Sequence, residues 1–515
     1  MLATTSQMTE VLAWLHAVAP GARLSSDSRS IAKGDVFIAY PGASSDGRVY
    51  IAQAIAAGAQ AVLYDDADSF SWNEDWAVPH RAVSNLKKNC GYIANAFYGK
   101  PDAGMFTVAV TGTNGKTSCS QWVGRALSSL GIPTAVIGTL GIGRFESGEP
   151  GVFKTTGFTT PDAVLLQHEL AQCRDAGAKA LAIEASSIGL EQGRLNGMHF
   201  DAALFTNLTR DHLDYHGDMA AYEAAKTMLF DWPGLRHAII NLDDAMGLRL
   251  VQRMKQSASA ASVIGYTLTG QRPDGIASLR ASDIRTSHAG TVFQLDSQFG
   301  SAQVRTQLVG QFNVSNILGI LAVLLAKGIA WEPAIEAIES LTAVPGRMQQ
   351  LGGQDNPLVV IDYAHTPDAL QKTLAALRPI ALQRGGKLWC LFGCGGDRDA
   401  GKRAQMGEVA AAADHVVVTS DNPRSEDAGA IIAQIVEGLQ SAQKLQASTN
   451  VNVIEDRAAA ILWAVRQSAR PDVILIAGKG HEDYQEIKGK KLPFLDADHA
   501  ALALAARATM KGGGE

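Results

Sequence analysis

The chain lacks any large excess of charge: 45 Lys and Arg stand against 51 Asp and Glu in 515 residues, a formal net charge of −6. That balance leaves no electrostatic footprint for nucleic acid or an anionic membrane, so any anionic ligand must be met by local basic residues. Long apolar runs are also missing. The most apolar stretch, residues 317–326, ends at Lys327 and falls far short of the roughly 20 residues that cross a bilayer. It reads as a buried helix, and no membrane insertion is expected. The opening MLATTSQMTE has neither the basic region nor the apolar core of a secretory signal, which places the expected location in the cytoplasm. Cysteine is sparse: Cys90, Cys119, Cys173, Cys390 and Cys394 are scattered, odd in number and without a C-x-x-C pair, against a disulfide framework or a zinc site. Cys390 and Cys394, beside a strand end, read as packing residues.

What is present describes a globular protein of several domains. Hydrophobic residues make up 46% and charged residues 19%, and 515 residues exceed what one core usually supports. Residues 1–102 hold short α/β elements, among them a strand at 35–40 and a helix at 49–57, and end in the linker Tyr98-Gly99-Lys100-Pro101. Residues 103–343 alternate strand and helix, with TAVIGT at 134–139, an amphipathic helix over 162–176 and ALAIE at 180–184. After the break Val344-Pro345-Gly346-Arg347, residues 344–515 resume the alternation with strands at 358–362, 387–393, 415–420 and 472–478. The fold class is α/β: a small first domain, a central doubly wound sheet and a C-terminal Rossmann-like unit. Ligands of such sheets sit beyond the carboxyl ends of the strands, so the chemistry belongs on the loops after these runs.

The strongest local signal is TGTNGKT at 111–117, between the apolar run 105–110 and a helix-like stretch from Lys116. A strand-to-helix turn without bulky side chains lets consecutive amides point at phosphate oxygens, and the helix N-terminus adds partial positive charge. Lys116 then reaches the β- and γ-phosphates of a nucleoside triphosphate, and Thr117 offers its hydroxyl to Mg²⁺. The common pattern has glycine where this chain has Val110. Glu184, at the end of ALAIE, is a candidate Mg²⁺ ligand, with a solvated acid ending a strand as the alternative. The loop TRDHLDYHGD packs Asp211, His212, Asp214 and His216 into six residues, a density that suggests metal or phosphate chemistry, with a polar loop of satisfied histidines as the alternative. Lys226, in the helix-like MAAYEAAKTMLF, reads on spacing alone as a surface lysine with its stem along apolar neighbours.

Taken in order, SDSR (26–29), DGR (46–48), TGTNGKT (111–117), TTPD (159–162), TNLTRDHLDYHGD (206–218), GQFNVSN (310–316), GRM (346–348), DYAHTPD (362–368), GCGGDRD (393–399), DNPR (421–424) and GKGHEDYQ (478–485) run the length of the chain. In that order and spacing they resemble the Mur ligases, ATP-dependent amide-forming enzymes of peptidoglycan synthesis. The nearest resemblance is to the branch that adds meso-diaminopimelate to UDP-MurNAc-L-Ala-D-Glu. The resemblance implies an ATP-binding set of Gly112, Thr113, Asn114, Gly115, Lys116, Thr117 and Ser118 with Asn313, Arg347 and Asp362. It makes Thr117 and Glu184 ligands of one Mg²⁺, and His212 with Lys226, modified to N6-carboxylysine, ligands of another. Lys116, Lys226, His212 and Glu184 become the catalytic residues. For the nucleotide sugar it points to Ser26, Ser28, Ala43, Ser44 and Ser45, and for the dipeptide to Thr159, Thr160, Ser186, Gln192 and Arg194. Ile188 stands where family members commonly have histidine.

The acceptor amino acid is implied to meet Arg398, Asp421, Asn422, Pro423, Arg424, Gly478 and Glu482. Family members specific for diaminopimelate carry DNPR, and the Arg424 guanidinium suits a carboxylate that lysine lacks. A monomer is expected. The alternatives are a lysine-adding ligase, a folylpolyglutamate synthetase-like ligase and a P-loop nucleotide switch. DNPR argues against the first, the separate N-terminal domain against the second, and the lack of a guanine-reading N-K-x-D motif against the third.

Overall fold

The computed structural model describes residues 5–42, 45–257, 260–287, 289–443 and 449–511. Near the N-terminus the strands Leu24–Ser25, Val36–Ala39, Ala61–Tyr64 and His80–Ala82 form a small parallel sheet in that order. The helix expected over 49–57 begins later. Asp46 accepts a hydrogen bond from the Arg48 amide and caps a 3₁₀ turn, Gly47–Tyr50, and only then does the α-helix Ile51–Ala56 follow. A side-chain acceptor two residues ahead favours a tight turn over an α-helical start.

The central sheet has eleven strands. Its middle, from Ser262–Thr267 through His237–Asn241, Ala202–Phe205, Phe106–Thr111 and Ala180–Glu184 to Thr134–Gly138, is parallel throughout. Those strands are apolar along nearly their whole length because both faces are covered. The helices Lys116–Ser129 and Gln311–Ala326 pack into one core layer, and Ala163–Asp175 and Ala245–Gln256 lie in the opposite layer. Gln311–Ala326 opens on polar residues and is apolar on every side from Ile317 onward, and its residues 316–324 are all buried, as a helix sunk in the core requires. The expected alternation fails over 277–306. There Ala277–Ser287, Gly290–Ser297 and Gly300–Thr306 make an antiparallel meander, with polar side chains on the open face.

The C-terminal sheet runs Gln349–Gly352, Leu358–Asp362, Val473–Ala477, Leu388–Phe392, His415–Val418, Asn450–Val453, parallel except for its first strand. The loops after Leu358–Asp362, Val473–Ala477, Leu388–Phe392 and His415–Val418 therefore leave the same edge. A fully buried ion pair braces that edge from behind: Arg457 donates to both oxygens of Asp496, each at 2.8 Å, and to the Ala477 carbonyl at 3.0 Å. The last strand residue before Gly478 is thereby tied to the helix Asp496–Lys511. Cys390 and Cys394 are buried in the core of this unit, and burial pushes the Cys394 thiol up to about 12, which fits inert packing. Among the described residues no helix is long and apolar enough to cross a membrane.

Candidate functional site

A cleft of about 1200 Å³ opens between the carboxyl edges of the central and C-terminal sheets. Its floor is the turn from the strand Phe106–Thr111 to the helix Lys116–Ser129. Gly112 has φ +147°, and a Cβ there would lie 1.9 Å from Thr206 Oγ1; Gly115, with φ +89°, caps the helix against the Asn316 amide. Glycine is needed at these two positions because the loop presses on the neighbouring loop and helix. At position 110 the chain is still buried strand, so valine serves there. The Asn114 amide donates to Asn207 Oδ1 at 2.9 Å, and the Lys116 ammonium donates to the Gly112 and Thr113 carbonyls at 2.8 Å each. Burial lowers the Lys116 pKa against the pull of Glu184 and Asp211. An anion arriving at this loop relieves that desolvation.

Beside the loop, Glu184 is 1% exposed. Its carboxylate accepts from the Thr139 amide at 2.8 Å and from the Thr139 and Thr117 hydroxyls at 3.1 Å. Arg347 Nη2 donates to Thr117 Oγ1 at 3.1 Å across the cleft, and its guanidinium carbon lies 4.2 Å from the centre of the Tyr363 ring. Among the described residues no three His, Cys, Asp or Glu side chains converge as a metal site. A hard cation held by one carboxylate, one hydroxyl and the ligand's own phosphates needs no such trio, and Thr117 with Glu184 fits that donor set.

Lys226 is 1% exposed, so the reading from spacing as a surface lysine is corrected: the face of Met219–Thr227 that carries it packs beneath the phosphate loop. Its ammonium donates to the Gly112 carbonyl at 3.0 Å and lies 4.3 Å from the centre of the Tyr222 ring. Burial, then nearby Lys116, lowers its pKa well below the ordinary value. As a cation Lys226 cannot ligate a metal; a carboxylated Lys226 could, with His212 nearby. Burial lowers the His212 pKa too, so its imidazole favours the neutral, ligating form. His212 Nε2 is 3.6 Å from Asp211, which also lies 3.8 Å from His365 Nε2 across the cleft. His216, by contrast, is a satisfied histidine, 2.9 Å from Ser187 Oγ and 3.2 Å from Glu191.

Opposite the phosphate loop lie the loops of the C-terminal sheet. Asp421 and Asn422 are buried, Pro423 is buried behind them, and Arg424 (φ +53°) reaches back to donate to the Gly396 carbonyl at 2.6 Å. Gly478 (φ +110°) approaches Asp421 so closely that a Cβ would meet its carboxylate at 2.5 Å. Glu482 accepts from Asn422 Nδ2 at 2.8 Å, and Arg398 is exposed at the rim. Asp362 uses both carboxylate oxygens on the Met348 and Ala364 amides, and buried Asn313 donates to the Val309 carbonyl; both line the cleft.

Thr113 to Ser118, Thr159, Thr160, Ser186 and Arg194 line the same cleft, as does Ile188. Thr160 Oγ1 donates to the Glu184 carbonyl, and Arg194 donates to the Thr160 carbonyl and to Gln192. Gln192 sits just outside, donating to the Tyr215 hydroxyl at 3.2 Å. Ser26, Ser28 and Ser45 belong to the N-terminal unit, away from the cleft lining; Ser26 Oγ donates to Asp162 Oδ1 at 3.0 Å and so touches the central unit. Ala43 and Ser44 lie outside the described residues.

Comparison with known proteins matches three family models along the chain: "Mur ligase family, catalytic domain" over residues 22–98, "Mur ligase middle domain" over 110–324 and "Mur ligase, glutamate ligase domain" over 346–480. The chain belongs to the Mur ligase family. This Mur ligase is 66% identical to a UDP-N-acetylmuramoyl-L-alanyl-D-glutamate–2,6-diaminopimelate ligase of Janthinobacterium sp. (strain Marseille), over 98% of both chains. It is 47% identical to the protein of that name in Pseudomonas aeruginosa, over 94% of this chain and 95% of the other. A solved structure of a ligase of that name aligns with TM-score 0.66 at 35% identity, covering 96% of this chain and 99% of that one. The Thermotoga maritima ligase MurF in complex with ADP shares the fold at TM-score 0.64 and 16% identity, over 95% of this chain and 98% of the other.

The structure of the Mur ligase also gives parts to residues that sequence reasoning passed over. Thr139 orients Glu184, Tyr363 stacks under Arg347, and Lys479 lies beneath the 421–424 loop. Thr139 ends the run TAVIGT, and Tyr363 and Lys479 lie inside quoted motifs; the contacts of Thr139 with Glu184, of Tyr363 with Arg347 and of Lys479 with Asn422 all reach outside those stretches.

Proposed function

We propose that the protein forms an amide between the D-Glu γ-carboxylate of UDP-MurNAc-L-Ala-D-Glu and an amino group of meso-diaminopimelate, consuming ATP. The observation that carries this reading is one cleft shared by a phosphate loop on one sheet edge and the DNPR loop on the other. The names of the relatives support the same substrates.

A carboxylate is a poor electrophile, and phosphorylation by ATP converts it to an acyl phosphate. The loop amides and Lys116 hold the triphosphate, and Arg347, already on Thr117, stands beside it to neutralise charge as the phosphoryl group transfers. Bound Mg²⁺, for which Thr117, Glu184, His212 and carboxylated Lys226 are the proposed ligands, supplies further charge neutralisation on the phosphates. Thr159, Thr160, Ser186, Gln192 and Arg194 are assigned to the peptide that presents the carboxylate, and Ser26, Ser28, Ala43, Ser44 and Ser45 to the nucleotide end. Arg398, Asp421, Asn422, Pro423, Arg424, Gly478 and Glu482 are assigned to diaminopimelate, whose amine displaces phosphate from the acyl group. Arg424 binds the distal carboxylate and Glu482 the distal ammonium.

Incubation with ATP, Mg²⁺, the nucleotide dipeptide and isotopically labelled meso-diaminopimelate is expected to move label into a single UDP-containing product, with one ADP formed per label incorporated. Label that stays with the free amino acid while ATP is consumed would refute the proposal.

A further inference from the structure

The acceptor side of the cleft is built around a lysine that reaches no solvent. The Lys479 side chain is 0% exposed, yet its ammonium has three oxygen partners: Asn422 Oδ1 at 3.1 Å, Glu482 Oε2 at 3.2 Å and the Tyr484 carbonyl at 2.6 Å. An ammonium has three hydrogens, so its donor capacity is fully used. The partners come from the loop after the strand His415–Val418, from the loop after Val473–Ala477 and from the first residue of the strand Tyr484–Ile487. Asn422 closes the network by donating from Nδ2 to Glu482 Oε2 at 2.8 Å while its Oδ1 accepts from the Glu486 amide at 2.9 Å.

Charge makes the arrangement consequential. Two carboxylates, Asp421 and Glu482, sit together at the bottom of this side, and burial followed by Asp421 raises the Glu482 pKa, while Lys479 and Asn422 act in the opposite direction. The other charged or titratable groups that sense Glu482 are Tyr363, whose hydroxyl it helps to keep protonated, and the buried Arg457. Lys479 is the cation in hydrogen-bond contact with Glu482.

We infer that Lys479 is a positioning residue for the acceptor amino acid, locking the Asn422 amide and the Glu482 carboxylate into the one arrangement that receives an ammonium opposite Arg424. The inference rests on the proposed acceptor site. It adds a residue that touches no substrate and acts through Glu482 and Asn422. It also predicts a dependence on pH. A group whose pKa is raised binds an ammonium better as pH increases past that pKa, because only the ionised carboxylate attracts it. Removing Lys479 raises Glu482 further, so binding in the variant goes on improving to higher pH than in the wild type.

The test uses the full-length enzyme and its Lys479→Met variant, with KM measured for each substrate and meso-diaminopimelate binding measured by calorimetry at pH 6.5 and 8.0. Expected for the variant is a KM for diaminopimelate raised by about 30-fold or more, as for loss of one partner in a buried charged network. KM for ATP and for the nucleotide dipeptide should stay within about threefold, and diaminopimelate affinity should rise more steeply from pH 6.5 to pH 8.0 in the variant than in the wild type. Lys479→Gln, which keeps hydrogen bonding without the charge, carries the same comparison if the methionine variant does not fold. Unchanged diaminopimelate KM, an equal rise in all three KM values, or failure of both variants to fold would overturn the positioning role. A wild-type enzyme that neither binds nor uses diaminopimelate would instead overturn the acceptor reading beneath it.

Discussion

Replacing Lys226 with alanine is expected to lower ligase turnover by about 10²- to 10³-fold, the loss typical of removing one preorganised electrostatic group from a reacting centre. As a free ammonium, Lys226 pairs with one carbonyl and one ring face beneath a loop that already holds the Lys116 ammonium. Burial and that neighbour both favour the neutral amine. A neutral amine is the form that adds to CO₂, forming an N–C bond and losing a proton to give a carbamate. The product replaces a repelled cation with an anion close to His212. Steady-state kinetics under saturating substrates give the rate, and native mass spectrometry of the wild type shows whether the protein carries one added CO₂. Turnover of the alanine variant equal to that of the wild type would remove Lys226 from the reaction.

The second large effect concerns the acceptor. Arg424→Ala is expected to reduce kcat/KM for meso-diaminopimelate by about 30- to 3000-fold, since a carboxylate would enter a partly closed site without its partner. Arg424 is held at φ +53° by two backbone bonds, its amide to the Glu486 carbonyl and its carbonyl from the Lys488 amide. Its side chain is held in turn by the Gly396 carbonyl at 2.6 Å and by Glu486 at 3.6 Å, so the guanidinium is preset rather than recruited. With the wild type, L-lysine leaves this guanidinium without a distal carboxylate, a penalty of about 3 to 5 kcal/mol, or roughly 10²- to 10⁴-fold. Competition between the two amino acids, before and after the substitution, measures both numbers. A preference for diaminopimelate that survives in Arg424→Ala would place its recognition elsewhere in the cleft.

What the sequence disclosed follows the range of the interactions. The phosphate loop was legible because strand, tight turn and helix are local: Gly112 and Gly115 have positive φ where the chain must turn, and Lys116 opens the helix. Four of the six strands of the C-terminal sheet were legible as apolar runs, and their common edge follows from parallel pairing; Gln349–Gly352 and Asn450–Val453, at the sheet's two edges, carry too few apolar residues to stand out. Lys226 was misread from spacing alone, because a helix of alanines does not disclose which face is covered; its burial comes from a loop 114 residues away in sequence. The meander 277–306 is hard to read from the sequence because its strands carry many polar residues and bury only one face. Lys479 and Thr139 were invisible for a related reason. Thr139 acts on Glu184, 45 residues distant, and Lys479 joins the nearby Glu482 to Asn422, 57 residues away; no local pattern encodes the distant pairings.

Whether one cleft couples ATP to a diaminopimelate acceptor is decided by phosphate release from ATP in the presence of UDP-MurNAc-L-Ala-D-Glu, with meso-diaminopimelate, L-lysine or no amino acid added. Release that depends on meso-diaminopimelate, with lysine slower by about 10²-fold or more, is the predicted result. Equal release with lysine would contradict the part given to Arg424, and release that needs no amino acid at all would contradict the ligase reading itself.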